Sequence, residues 1–198
     1  MSIPNISPIG GLRRLLAGAL LVFGTSLLPE PSVAANSAVT LEYGVKAGYL
    51  FNFAKYITWP SSAFPAETSP FVVGVLDDGE ASAVVRSAIE GKNVNGRPVE
   101  VRSVSTESIG VGVHILLVTR AADKSPEELR KLAGSASVLM VGETDEFAER
   151  GGAIGFVHEN ESIRLTLCLE HATDRGLKVS AKLATVAKPV KARDKKQP

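Results

Sequence analysis

The sequence has little cysteine, little histidine and no long apolar run beyond its first residues, and each shortage narrows the possible function. Cys168 is the only cysteine in 198 residues, so an internal disulfide is excluded and the fold must be stabilised by its core or by a partner. The thiol could link two chains, although a half-buried strand residue is the simpler interpretation. The histidines, His114, His158 and His171, lack the i, i+4 spacing of a helix-borne zinc site, so we expect no metal ion.

Sequence signatures of catalysis are also missing. No G-x-S-x-G elbow and no Gly-Lys-Ser/Thr phosphate loop occurs, which argues against a serine hydrolase and a phosphate-loop enzyme. A thiol nucleophile at Cys168 would need a base, and strand geometry turns the nearby His171 in an unrelated direction. Asp77 and Asp78 follow a predicted buried strand, where α/β folds often place ligand groups, but a turn before a helix is the simpler explanation. We predict no catalytic residues, no cofactor and no enzymatic activity.

The first residues have the pattern of a signal peptide. Arg13 and Arg14 precede an apolar run from Leu15 to Leu28, and small residues at Ala34 and Ala35 follow a proline-containing break. The run is shorter than the roughly 20 residues of a membrane-spanning helix, so a retained anchor is the weaker alternative. We predict that residues 1–35 are cleaved on export to the periplasm.

The remaining chain has balanced charge. Without the leader, 22 − 2 = 20 basic residues face 21 − 1 = 20 acidic residues, which gives no reason to expect nucleic acid as a partner. Residues 36–187 are predicted to form one domain. Residues 188–198 are rich in basic residues. We predict that they are disordered, with contact to anionic lipid or an acidic partner as the alternative.

Hydrophobic periodicity predicts an alternation of strands and helices. An amphipathic helix is predicted over 41–58, with Trp59-Pro60 ending it. The other predicted helices are 80–90, 125–132, one or two turns over 144–149, and 178–187; the predicted strands are 71–76, 97–101, 113–118, 138–141, 153–157 and 163–169. The fold class is therefore α/β, with a single mixed sheet flanked by helices, a parallel centre and a C-terminal antiparallel hairpin.

Two groups of residues are candidates for binding. Tyr49, Phe53 and Tyr56 are predicted on the side of the first helix roughly opposite its core face, and Trp59 follows at its exit. Aromatic residues are favoured as interface anchors, with a position in the core as the alternative. The second group, for a small planar or anionic ligand, is Arg97, Arg164 and Lys182 near the sheet ends, with ordinary solvated side chains as the alternative.

Four ordered motifs resemble those of the YfiR family. The opening one runs from Val45 to Pro60 (VKAGYLFNFAKYITWP). The others are Gly91-Lys92 with Val94–Pro98, Val138–Glu143 with Phe147, and Gly151–Phe156 followed by Gly176–Leu183. The resemblance covers about residues 43–187.

The resemblance implies a periplasmic regulator that binds the sensor domain of a membrane-bound diguanylate cyclase and holds the enzyme inactive. A sensor module of another membrane signalling protein is the alternative, and a homodimer is possible. Departures from the family pattern are Ala153, where Met is usual, and Thr166 and Cys168, where Glu and Asn are common. The paired cysteines of many relatives are also missing, so control through an internal disulfide is excluded.

Overall fold

The computed structural model describes residues 33–122, 124–160 and 162–193. Most of the predicted leader and part of the predicted basic tail lie outside these residues. Within them, no helix combines the length and apolar character needed to cross a membrane.

The first helix, α1 (Val33–Tyr56), confirms the predicted helix but begins earlier. Its first turns include three alanines, the residue with the highest helix propensity. It ends at Tyr56 because the next two residues form strand β1 (Ile57–Thr58), which pairs antiparallel with β9 (Lys178–Val179) in a small separate sheet.

The main sheet has eight strands in the order β10-β8-β7-β6-β5-β2-β4-β3. Its centre, from β4 to β7, is parallel, and β7 and β8 form the predicted antiparallel hairpin. The strands are β2 (Phe71–Leu76), β3 (Asn93–Val94), β4 (Arg97–Val104), β5 (Ile115–Val118), β6 (Leu139–Gly142), β7 (Ile154–Glu159), β8 (Ser162–Leu167) and β10 (Lys188–Pro189). The predicted α/β fold class is confirmed.

Helices cover both faces of this sheet. They are α1, α2 (Gly79–Ile89), α3 (Pro126–Leu132), α4 (Leu169–Thr173) and α5 (Ala181–Val186), with short 3-10 turns at Ser61–Ala63 and Thr106–Ser108. The alternation of β2 shows the two layers: Phe71, Val73 and Val75 belong to the core beneath α1 and α2, whereas Val72 and Leu76 belong to the core beneath α3.

Three local predictions need correction. Residues 144–149 form hydrogen-bonded turns instead of a helix, and the ring of Phe147 lies between Gly142 and Gly152, where an added Cβ would come within 2.3 Å and 2.2 Å of it. The last helix begins at Ala181, because the residues before it pair with β1. The strand predicted over 163–169 ends at Leu167, and Leu169 is 47% exposed at the start of α4.

Candidate functional site

The candidate site lies at the carboxyl ends of the central parallel strands. The chain passes from β2 to β4 on one side and then returns to β5 on the other side of β2, so the strand order reverses there. Open α/β sheets bind ligands in the crevice outside such a reversal. The residues that follow the strands at this edge are Asp78 after β2, Arg120 after β5 and Glu143 after β6.

A buried lysine on α1 is the centre of the site. Lys46 is 1% exposed, and its Nζ donates to Oε1 of Glu143 at 2.8 Å and also to Glu42, one helical turn earlier. The ammonium group lies 4.8 Å from the ring centroid of Tyr43 and 5.8 Å from that of Phe156. Packing and charge therefore both hold α1 against the edge of the sheet.

Glu143 is 4% exposed and is satisfied by several donors. Besides the bond from Lys46, it accepts from the Tyr43 hydroxyl at 3.3 Å and from the Arg120 N–H at 3.2 Å. The Nε of Arg120 donates to the Glu143 carbonyl oxygen at 3.3 Å. These hydrogen bonds offset the cost of burying the carboxylate.

Burial and the charges of Lys46 and Glu143 shift the pKa values of their neighbours Tyr43 and Glu42. Burial, with the charges of Glu143 and Asp78, raises the pKa of the Tyr43 hydroxyl, so Tyr43 stays a neutral donor. Burial also acts to raise the pKa of Glu42, but the hydrogen bond and charge of Lys46, followed by His158, outweigh it and leave the pKa below its ordinary value. His158 on β7 reaches Glu42 at 3.1 Å through Nε2.

A cleft of about 250 Å³ opens beside this centre. Its lining residues are Val39, Glu42, Tyr43, Asp78, Glu80, Arg120, Ala121 and Glu143. Asp78 also caps α2, because its carboxylate accepts from the Ala81 N–H at 2.9 Å. The turn predicted at Asp77-Asp78 is thus confirmed, and the same turn lines the cleft. In the part of the chain that the structure describes, no cluster of His, Cys, Asp and Glu side chains could hold a metal ion.

A larger cleft of about 770 Å³ lies beside α3 and α4. It is lined by charged side chains, but these form ion pairs and hydrogen bonds within the fold. Arg130 pairs with Asp174 at 2.6 Å and Arg150 pairs with Glu127 at 2.9 Å. Arg175 is 8% exposed, and its guanidinium donates to backbone carbonyl oxygens around the end of α3. Burial and the charge of Arg130 lower its pKa. These contacts lock the C-terminal end of α3.

The family assignment rests on a match that covers nearly all of this architecture. The model of the family described as YfiR/HmsC-like matches residues 43–188. The chain belongs to the YfiR/HmsC-like family. No curated protein matches it. YfiR/HmsC-like proteins are periplasmic regulators, and the resemblance inferred from the motifs is confirmed over almost the same residues.

The YfiR/HmsC-like motifs contain both partners of the buried pair, which sequence reasoning did not single out. Lys46 belongs to the opening motif and Glu143 to the Val-Gly-Glu segment. The available signal was the spacing of Lys46, Leu50 and Phe53, which places a lysine among apolar residues on one helix face. A charged residue in such a position needs a buried partner. Sequence alone did not identify that partner, 97 residues away.

The four aromatic residues predicted to bind a partner differ in burial: two are buried and two are half-buried. Phe53 and Trp59 are 0% and 8% exposed and belong to the core, so the expectation that Phe53 lies opposite the core face is corrected. Tyr49 and Tyr56 are half-buried. The Tyr49 ring lies 6.3 Å from that of Phe53 and 5.9 Å from that of Phe156.

The three basic residues predicted to bind a ligand are not brought together. Arg97 donates to the carbonyl oxygens of Ala66 and Ser69, whereas Arg164 is exposed on β8, 3.6 Å from Glu159. Four strands separate β4 from β8, which corresponds to about 24 Å. The Lys182 ammonium group lies elsewhere, 4.9 Å from the Tyr56 ring centroid.

Cys168 and His114 are buried residues. Cys168 is fully buried, directly after β8, instead of half-buried within the strand. Burial raises the pKa of its thiol, so the thiolate needed for exchange is disfavoured. His114 is 3% exposed and hydrogen-bonded on both ring nitrogens.

Proposed function

We propose that this protein is a periplasmic regulator that binds the periplasmic sensor domain of a membrane-bound diguanylate cyclase and holds the cyclase inactive. The observation that carries the proposal is membership of the YfiR/HmsC-like family over residues 43–188. Loss of the regulator would then raise cyclic di-GMP and favour biofilm. Export through a cleaved leader, residues 1–35, is part of the proposal.

The geometry supports a binding role for α1. The Lys46–Glu143 pair fixes the helix to the sheet, so side chains on its outer side are presented on a rigid element. We propose that Tyr49 and Tyr56, which keep part of their surface exposed, contact the partner. Phe53 and Trp59 would support them from the core.

The direct test is co-purification of residues 36–198 with the periplasmic domains of the host's membrane-bound diguanylate cyclases. We expect one domain to be captured and cellular cyclic di-GMP to rise when the gene is deleted. Tyr49→Ala and Tyr56→Ala should weaken capture without changing thermal unfolding. Leu132→Ala, an exposed apolar residue on α3, is the matched control and should bind normally. No capture and no change in cyclic di-GMP would refute the proposal, and unfolded tyrosine variants would assign these residues to the core.

A second candidate function is a sensor for a small ligand. The cleft at the strand ends favours it, because its volume of about 250 Å³ lies near the lower end of ligand pockets. Arg120 lines this cleft, and only its backbone N–H and Nε have described hydrogen bonds. A panel of periplasmic metabolites should then raise the thermal unfolding temperature of the wild type and not of Arg120→Ala. A flat response to the panel would leave the cyclase-binding function as the better account. Arg97, Arg164 and Lys182 stay predictions for such a ligand.

A further inference from the structure

The outward backbone groups at the two edges of the eight-stranded sheet differ in their hydrogen bonding. At the β4 edge, Val101 is capped by side chains of α2 and its end: its N–H donates to Glu90 at 2.7 Å, and its carbonyl oxygen accepts from Arg86 Nη2 at 2.8 Å. The neighbouring Val99 bonds to the backbone of Gly91 and Lys92. Proteins protect edge strands from pairing with other chains in this manner. This edge is closed by the chain itself.

Within the described residues, the outer edge of β8 pairs with another strand only at one end. Strand β10 pairs in parallel with Thr166 and Leu167 and with no earlier residue of β8. Two bonds show which way the backbone faces: Cys168 N–H donates toward β7, to Ala153, whereas the Leu167 carbonyl oxygen accepts from Val190 on the opposite side.

The N–H and C=O groups of successive strand residues point to alternate sides, so these two bonds identify which backbone groups of β8 point away from β7. The N–H and carbonyl of Ile163 and the N–H of Leu165 point away from β7. No strand lies beside Ser162–Leu165 on that side within the described residues. The segment is therefore a template for one more strand.

Charge indicates which strand fits. Arg164, at the centre of this segment, has a 69% exposed side chain, and its contact is an exposed ion pair with Glu159 at 3.6 Å, which contributes little. Antiparallel pairing of β8 with a second copy, centred on this segment, would place two Arg164 side chains opposite each other, which is unfavourable. A partner strand that carries an acidic residue is favoured instead.

We propose that Ser162–Leu165 accepts an extended segment of the partner sensor domain as an added strand, with an acidic residue of that segment beside Arg164. The proposal rests on the proposed function for the identity of the partner. The chain itself already shows that this edge accepts a strand, since β10 occupies its other end. The site is continuous with the α1 surface, because Tyr49 packs on Phe156 of the adjacent strand β7.

Proline at position 163 is the test, because it removes an outward N–H and leaves the bonds to β7 in place. Ser103→Pro is the matched control, since Ser103 has the same outward register on the opposite edge strand. With the periplasmic cyclase domains as probes, we expect Ile163→Pro to weaken binding about tenfold or more and Ser103→Pro to bind like the wild type. Amide hydrogen exchange of Ile163 and Leu165 should slow when the domain binds.

Each outcome decides between the two proposals. Binding that is unaffected by Ile163→Pro, with unchanged exchange at both amides, overturns the added strand and leaves the proposed function intact. Failure of the wild type to bind any cyclase domain overturns both. If Ile163→Pro does not fold, Arg164→Glu and the exchange measurement on the wild type take its place, and unaltered affinity together with unaltered exchange contradicts the proposal.

Discussion

At the scale of single residues, the molecule depends on polar side chains buried with their partners already in place. Lys46 and Glu143 are almost completely enclosed, and each satisfies the other. Removing one member of such a pair is far more damaging than removing both, because the remaining charge is left without a partner in a medium that solvates it poorly.

Replacing Lys46 with Met should lower the free energy of unfolding by about 3–5 kcal/mol, because Glu143 would keep its burial and lose its cation. Urea unfolding of residues 36–198 is the measurement. Lys55→Met, an exposed lysine on the same helix, should change the value by no more than about 0.5 kcal/mol. The double variant Lys46→Met with Glu143→Leu should recover much of the loss. Equal losses in the single and double variants would contradict this account.

His114 should make stability depend on pH. Its Nδ1 accepts from the Val72 N–H at 3.0 Å, which leaves Nε2 to donate to the Ala63 carbonyl oxygen at 3.1 Å. Burial, with a smaller effect from the charges of Arg97 and Arg102, lowers its pKa in the fold. A histidine whose pKa is lower in the folded state contributes stability above its unfolded pKa of about 6.5, and this contribution is lost as the pH falls toward the folded pKa.

We therefore expect the urea midpoint to fall when the pH drops from 7 to 5, and to fall less in His114→Gln than in the wild type. Leu132→Ala, at an exposed residue that does not titrate, is the control and should keep the slope of the wild type. The same slope in His114→Gln and the wild type would show that other groups cause the dependence.

At the scale of elements, two glycines leave the space in which the Phe147 ring packs against the sheet. The Phe147 ring lies against Gly142 at the end of β6 and against Gly152 before β7. No larger residue fits at either position without moving the ring. The Gly44 and Gly48 positions of α1 differ, because an added Cβ there meets nothing within 4 Å.

Gly152→Ala should therefore lower the free energy of unfolding by about 1–3 kcal/mol through overpacking. Gly48→Ala should raise it by about 0.5–1 kcal/mol, since alanine is a better helix residue and no neighbour is displaced. Thermal and urea unfolding of the two variants side by side will show opposite signs if this explanation is correct. A neutral Gly152→Ala would mean that Phe147 moves aside without cost.

The elements that sequence reasoning predicted well are those with strong local signals. The buried run of β2 and the N-cap and proline of α3 identify those elements without any knowledge of their neighbours. The last helix was extended too far because Val179, Leu183 and Val186 have helical spacing. The structure of Lys178 and Val179 is decided instead by pairing with a strand at the other end of the domain. Phe53 was misplaced although its spacing from Leu50 is helical and puts it on the core face, where it packs on Phe156.

At the scale of the whole molecule, the fold is a sheet covered on both faces and stabilised without a disulfide. The single cysteine is fully buried, so the stability of the domain comes from its two cores. The fold class and the family could be predicted from pattern and motif. The buried pair, the open cleft and the unequal sheet edges could not, because each joins residues from elements far apart in sequence.

The pairing of β1 with β9 has a consequence for how the chain acquires its structure. Ile57 finds its partner in Val179, and the buried pair likewise joins residues separated by 97 positions. Contacts of such long range slow folding and cannot form on a nascent fragment. Strand β1 therefore has no partner until synthesis has passed Val179, and a chain truncated ahead of β9 would leave the segment that follows α1 without its pairing.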